Sequence, residues 1–517
     1  MNVLLLYPEF PDTFWSFKHA LAYVGKKASL PPLGLLTVAA MLPPDWSKRL
    51  VDVNVRSLRD DDLDWADCVF ISAMTVQRKA AHRLVARCTA AGLRIVAGGP
   101  LFQAEHEQFE DVDHFVLNEA ELTLPAFLRD LAHARPKRIY TSTEFPDLHG
   151  TPGPMWELLD LKRYGNMAVQ FSRGCPFNCD FCNVTALFGH RCRTKSAEQI
   201  VAELDSLYAL GWRGDVFFVD DNFIGNKAFL KTDLLPALIK WRRGKTGNTF
   251  FTEASINLAD DQPLMDMMVN AGFSKVFIGI ETPDEGSLAE CSKVQNKNRD
   301  LVEDVKSIQR TGLQVQGGFI VGFDHDGPSI FKKQIDFIQK SGIVTAMVGM
   351  LQAPPGTRLF QRMKEAGRLR GEASGDNVDG TTNIVPAMGL EGLVAGYKGI
   401  LEHIYSPKHY YERIKTFLRE YKPPRIRGHL QLSHILALVR SVYRLGIVGR
   451  ERVHYWKLML WTQFRRPRLI PEAVVLSIYG YHFRIVCERH VVYPTEEEHD
   501  TRALGEESGH REPERTE

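Results

Sequence analysis

Over the first 145 residues, short apolar runs alternate with amphipathic stretches. Val3–Pro8 (VLLLYP) is a continuous apolar run that ends in a turn, the pattern of a strand buried on both faces. Pro31–Leu42 (PPLGLLTVAAML) predicts a helix with proline at its start and an apolar face. RLVDVNV, CVFISAM and LRIVAGGP then read as strands, separated by helical stretches such as Gln77–Gly92. Strand alternating with helix predicts a doubly wound, Rossmann-like parallel sheet, whose ligands bind beyond the carboxyl ends of the strands. Those ends carry Tyr7-Pro8-Glu9, Ser72-Ala73-Met74, Gly98-Gly99-Pro100 and, after HFVL, Asn118-Glu119-Ala120-Glu121. The chain shows no G-x-G-x-x-G turn, so a dinucleotide site is unsupported. Proline and glycine concentrate in FPDLHGTPGPMWEL, a crossing between domains placed at 146–165. From Met167 to about Leu359 the alternation resumes with MAVQFSRG, DVFFVDDNFIGN, TFFTEASINLA, KVFIGIET, LQVQGGFIVGFD and TAMVGMLQAPPGTRL as strand regions. It predicts a partial (β/α) barrel over 166–375, with its active face at the strand C-termini.

Phe171–Cys182 reads FSRGCPFNCDFC. Cys175, Cys179 and Cys182 stand at C-x₃-C-x₂-C spacing on a loop opened by Gly174 and Pro176. Soft thiolate ligands select zinc, copper(I) or an iron–sulfur cluster. A structural zinc site needs a fourth ligand, for which Cys192 and His190 are the local candidates. Three cysteines alone suit a 4Fe–4S cluster with one iron left open. This motif, with aromatic Phe181 before its last cysteine and a strand ahead of it, resembles the signature of the radical S-adenosylmethionine (SAM) superfamily. The resemblance implies a cluster that chelates SAM, accepts an electron from a donor such as flavodoxin or ferredoxin, and releases a 5′-deoxyadenosyl radical. It also implies that Asp220, Asp221 and Asn222 lie where backbone meets the methionine amino group. Glu253, Ser255 and Glu281 would reach the ribose or the methionine carboxylate, and Gly317, Gly318 and Gly322 would let the backbone approach the adenosine. Cys192 and Cys291 read as ordinary cysteines.

The sheet ahead of the motif resembles the cobalamin-binding domain of a large subgroup of these enzymes, on PPLGLLTVAA and the GGP turn. The resemblance implies cobalamin at the strand ends carrying Ser72, Gly98, Gly99 and Glu119. Asp113-His114 does not fit the D-x-H-x-x-G pattern, so cobalamin without a histidine lower ligand is expected. A degenerate domain kept as a packing platform is the competing reading. Over Met1–Phe483 the chain is similar to the branch that includes bacterial hopanoid methylases. PEFPDTFWSFK, FVDDNFIGN, TEASINLADD and IYSPKHYYERI carry that likeness. It implies methylation of an unactivated carbon in a membrane lipid or terpenoid. Lipid ring formation or carbon–carbon coupling without methyl transfer is the enzymatic alternative, and an iron–sulfur scaffold or redox sensor the non-enzymatic one.

The region 376–494 changes character. Gly389–Tyr421 is strongly helical with a break at Tyr405-Ser406-Pro407, and 422–490 carries about ten more basic than acidic groups among Trp, Tyr and Phe. Such a stretch suits an anionic membrane surface; a helical cap with a solvated basic face is the alternative. No nucleic-acid motif accompanies the charge. At 517 residues the chain exceeds the ~250–300 at which one core stops growing. Its net charge of +1 gives no global steering. Eight cysteines, three of them in the motif, argue against a disulfide scaffold. No signal peptide and no spanning segment are read, so the expectation is a cytoplasmic protein with peripheral contact at the inner membrane face. Residues 495–517 are acidic and read as a disordered tail.

Overall fold

A computed structural model describes residues 1–376, 378–423 and 432–489. The tail expected to be disordered lies outside the described residues. The first sheet comprises β1 (Asn2–Tyr7), β2 (Ser47–Asp52), β3 (Cys68–Ser72), β4 (Arg94–Gly98), β5 (His114–Val116) and β6 (Ile139–Tyr140). All its pairings are parallel, in the order β2-β1-β3-β4-β5-β6. The direction of winding therefore reverses between β1 and β3, and a ligand crevice opens at their carboxyl ends. The unbroken apolar run of β1 is explained by its central place. Leu4 and Leu6 pack with one helical layer, Val3 and Leu5 with the other. The edge strand β6 is two residues long and left no signal in the pattern.

The second sheet is the barrel. It uses β7 (Met167–Val169), β10 (Val216–Phe218), β11 (Phe250–Ala254), β12 (Phe273–Glu281), β13 (Gln314–Val321) and β14 (Ala346–Met350). The order is β14-β13-β12-β11-β10-β7, all parallel and open between β14 and β7. One face of each strand packs on the helices: Val216, Phe218, Phe250, Val276 and Ile278 are buried beside Leu235, Leu264 and Met268. The alternate positions Phe217, Phe251, Glu253, Phe277 and Gly279 face the lumen.

MAVQFSRG is not one strand. β7 ends at Val169, and the chain turns out of the sheet into β8 (Ser172–Arg173), which pairs antiparallel with β9 (Arg193–Thr194). The buried Asp220 carboxylate causes the turn. It accepts the Phe171 N–H at 3.3 Å, the Ser172 hydroxyl at 2.5 Å and the Ser172 N–H.

The C-terminal region is helical, with Leu390–Tyr405, Pro407–Glu420, Leu432–Ser441, Arg452–Arg465 and Ile470–Cys487 as its long helices. The Tyr405-Ser406-Pro407 break falls between the first two, where Pro407 opens the second helix. Pro467–Cys487 has the length and composition to cross a bilayer, but more than half of it is buried inside the protein. The N-terminal hook Phe14–Ser16 reaches this layer. Phe14 stacks on Phe483 at 4.1 Å, and its carbonyl lies 3.0 Å from His482 Nε2. First and last segments thus share the barrel's core.

Candidate active site

The cysteine loop is held by backbone. Gly174 has φ +93°, and a Cβ there would lie 2.6 Å from the Arg191 carbonyl, so the hairpin passes this point only with glycine. The Cys175 N–H donates to Gly189 O, and the Asp180 N–H to Cys291 O at 3.0 Å. Asp180 also pairs with Arg358 at 2.5 Å, which fastens the loop to the segment after β14. The three thiols are half-buried. Burial and the neighbouring cysteines push Cys175 up and Cys182 up to about 12, against the opposing pull of Lys293. Thiolates gathered here need a cationic centre to neutralise them. Among the described residues, no three Cys, His, Asp or Glu side chains converge as ligands of a single ion would. A four-iron cube, several ångströms across, takes thiolates at separate corners.

Beyond the loop, the ends of β10 and β11 carry carboxyls with little to neutralise them. Asp221 is pushed up to about 6 by burial, and its Oδ2 is buried without a partner. Burial and the charges of Asp221 and Asp220 push Glu253 up to about 8. Glu281 sits at φ +62°, just after a register shift in β12, and pairs with Lys293 at 2.6 Å. The bulge re-aims this side chain onto Lys293, which in turn feels the charges of Cys179 and Cys182. Asn222 Oδ1 accepts the Ser255 N–H at 3.2 Å, and Ser255 Oγ lies 2.7 Å from Asn257 Oδ1. A pocket that holds an unpartnered Asp221 oxygen and a buried Glu253 beside three thiols fits a cationic, amino-bearing ligand such as SAM.

Lys293 and Gln295 belong to this site and were not found from the sequence. Gln295 Nε2 lies 3.8 Å from Cys179 Sγ, and the charges of Cys179 and Cys182 help hold Lys293 protonated. Their one signal is place: they follow the strand-end Glu281 in a βα loop of a barrel. Cys192 lies beside Ser172 and Gly225, and Cys291 is buried.

The Asp220 side chain is turned away from the pocket to fix the start of the cysteine loop, which leaves its backbone for the expected contact. Two expectations need correction. Gly317 does not face the lumen; a Cβ on it would press into Ile343 and Phe319 on the helical side. Gly318 does face the lumen, opposite Gly279 in β12, with the Phe277 ring beside it. Glu119 is not free to touch cobalamin. Both of its oxygens are taken by Arg173, at 2.5 Å, and Arg193, at 2.7 Å. Arg173 also binds Glu121 at 2.8 Å, and every member is 4–13% exposed. This network clasps the first domain to the hairpin that carries the cysteines.

At the crevice of the first sheet, Ser72, Gly98 and Gly99 come together. A Cβ on Gly99 (φ +92°) would fall 2.5 Å from Ser72 Oγ, and one on Gly98 would fall 2.7 Å from the Val116 carbonyl. The strand end is therefore low and flat. Exposed Met74 stands beside it, and Gly375, from the segment after the barrel, packs on Thr75 and Val76. A flat edge without side-chain charge fits one face of a large macrocycle.

Residues 169–355 match the radical SAM superfamily and residues 26–128 the B12 binding domain, while 357–493 match a domain of unknown function. A Synechocystis protein described as an uncharacterized methyltransferase is 39% identical over 93% of this chain and 91% of its own length. The hopanoid C-2 methylase of Rhodopseudomonas palustris is 33% identical over 94% of this chain and 93% of its own. The chain belongs to the cobalamin-binding radical SAM methyltransferases. Its fold is that of the solved cobalamin-dependent SAM radical enzyme OxsB, described with aqua-cobalamin and SAM bound. The TM-score is 0.60 at 15% identity, covering 98% of this chain and 84% of that one. The cofactors of this radical SAM methyltransferase are a 4Fe–4S cluster, SAM and cobalamin.

Proposed function

We propose that this radical SAM enzyme methylates an unactivated carbon of a membrane lipid or terpenoid of hopanoid type. The observation that carries the reading is the 33% identity to a hopanoid C-2 methylase along nearly the whole of both chains, C-terminal region included. The lumen supports it. Phe217 and Phe251 stack at 4.7 Å, the Phe277 and Trp15 rings meet at 5.2 Å, and Gly279 faces Gly318. These rings offer aromatic faces for a flat apolar body to lie against. Below them Lys275 and Asp215 pair at 2.8 Å, so each offsets the other's charge.

In this reading residues 1–145 carry cobalamin at Ser72, Gly98 and Gly99, and 166–375 form the catalytic barrel. Cys175, Cys179 and Cys182 hold the cluster. Asp221 and Glu253 receive the cationic part of SAM, while Lys293 and Glu281 order the far wall. The first C-terminal helix packs on β14, where the Tyr405 hydroxyl donates to the Ala346 carbonyl at 2.5 Å. When bound, the cofactors supply a carbon radical and a methyl group, with electrons from a donor such as flavodoxin or ferredoxin. The chain's own work is to aim the substrate and exclude water.

The test is anaerobic turnover of reconstituted protein with cobalamin, reductant, membrane-lipid extract and SAM deuterated in its methyl group. A lipid carrying the labelled methyl, formed with 5′-deoxyadenosine, is the expected result. Deoxyadenosine with a lipid that loses hydrogen and gains no label would instead mean ring closure or coupling.

A further inference from the structure

Twelve of the twenty exposed large hydrophobic residues among the described ones fall between Ile435 and Val475. They follow helical spacing. On the helix Arg452–Arg465, Val453, Trp456, Leu460 and Phe464 recur at intervals of three and four, so they share one face; Phe464 is 81% exposed. On the preceding helical stretch Val439 and Tyr443 repeat at four and are 59% and 61% exposed. A solvated cap would turn such faces inward, as Ile470–Cys487 does.

The charge along this stretch is dominated by one sign, with Arg450 alone reaching an exposed acid, Glu488 at 4.0 Å, among the described residues. Residues 432–470 contain eight Lys and Arg and a single acid, Glu451. Glu451 is 2% exposed and pairs with Arg484 at 2.5 Å, so it offers nothing to the surface. Arg452, Lys457 and Arg465 are exposed on the same helix as the apolar stripe. Apolar and aromatic side chains flanked by uncompensated cations match the boundary between acyl chains and anionic headgroups. A second copy of this chain would bring the same positive charge to the contact and be repelled.

We propose that the helical face formed by 432–441 and 452–465 docks the protein on an anionic lipid bilayer. The helices lie on the surface and do not cross it. The inference does not rest on the identity of the methylated molecule, and its test reads contact alone.

Holoprotein is sedimented with vesicles of phosphatidylcholine, and with vesicles made half of phosphatidylglycerol, at low and high salt. Light scattering records the oligomeric state of the free protein. The expected result is binding to the anionic vesicles, at least about tenfold weaker without phosphatidylglycerol or at high salt. L460D/F464D should lose the binding while keeping its melting temperature. R452E/K457E/R465E should lose the preference for anionic lipid. Wild-type protein that stays in the supernatant, or L460D/F464D protein that binds as wild type does, overturns the proposal. A dimer that L460D/F464D dissociates, with no vesicle binding, assigns the face to a second copy instead. Methylation of detergent-dispersed substrate by L460D/F464D is a separate readout, so the surface and the proposed function fail independently.

Discussion

The two sheets present opposite kinds of strand end. At the first, the carboxylates are neutralised: Glu119 and Glu121 are bound by Arg173 and Arg193, and Ser72, Gly98 and Gly99 form a low, uncharged edge. At the second, Asp221 and Glu253 form no ion pair among the described residues, and burial raises both, helped at Glu253 by the charges of Asp221 and Asp220. The difference matches the two small molecules, a broad macrocycle and a compact zwitterion with a sulfonium. The same parallel α/β architecture serves both because the edge chemistry, not the fold, selects the ligand.

Removing the cluster makes the largest break. Cys179→Ala should leave iron substoichiometric and abolish both 5′-deoxyadenosine formation and methyl transfer, while cobalamin still binds the first sheet. Iron analysis and the visible spectrum check it. Loosening the clasp comes next. Glu119→Ala leaves Arg173 and Arg193 buried with one partner fewer, at a cost of about 3–5 kcal/mol, read by denaturant titration. Replacing Arg173 by Met in the same chain should recover part of that loss, and a double-mutant cycle measures how much.

The unpaired end predicts a pH dependence. Glu253 is raised from an ordinary value near 4.5 to about 8, so the unfolded chain gives up this proton first. Stability of the apoprotein should therefore fall as pH rises through that window, the reverse of an ion-paired carboxylate. Glu253 is only half-buried, so the effect should be a few degrees in Tm at pH 8, about 2–4 °C for each kcal/mol. Glu253→Gln should flatten the slope, and added SAM should raise Tm most at high pH. Of similar size or smaller are the glycine changes. Gly317→Ala should cost about 1–3 kcal/mol by overpacking against Ile343 and Phe319. Gly318→Ala should instead act on substrate KM, since its side chain would enter the lumen.

The cysteine loop, the strand-end carboxylates and the alternation behind both sheets were legible because each is local: a spacing, a period, a run. What was missed is pairwise and distant. Glu119 looked free since Arg173 and Arg193 lie 54 and 74 residues away. The anchoring role of the Asp220 side chain was missed because nothing in FVDDNF shows that it holds Ser172, 48 residues earlier. Gly317 and Gly318 are indistinguishable as letters, yet alternation in β13 sends one to the helices and the other to the lumen. The segment proposed to dock on a bilayer was ambiguous for a related reason. Composition gave its charge and aromatics, but only exposure separates a stripe turned outward from one packed on the core.

Electron paramagnetic resonance of the reduced, reconstituted holoprotein, with and without SAM, tests the division between the two edges most directly. In wild type, SAM should shift the cluster signal. In D221N/E253Q the shift should be lost while bound cobalamin is unchanged. An unaltered SAM shift in that variant, or loss of cobalamin with it, would contradict the assignment of the charged edge to SAM and the neutral one to cobalamin.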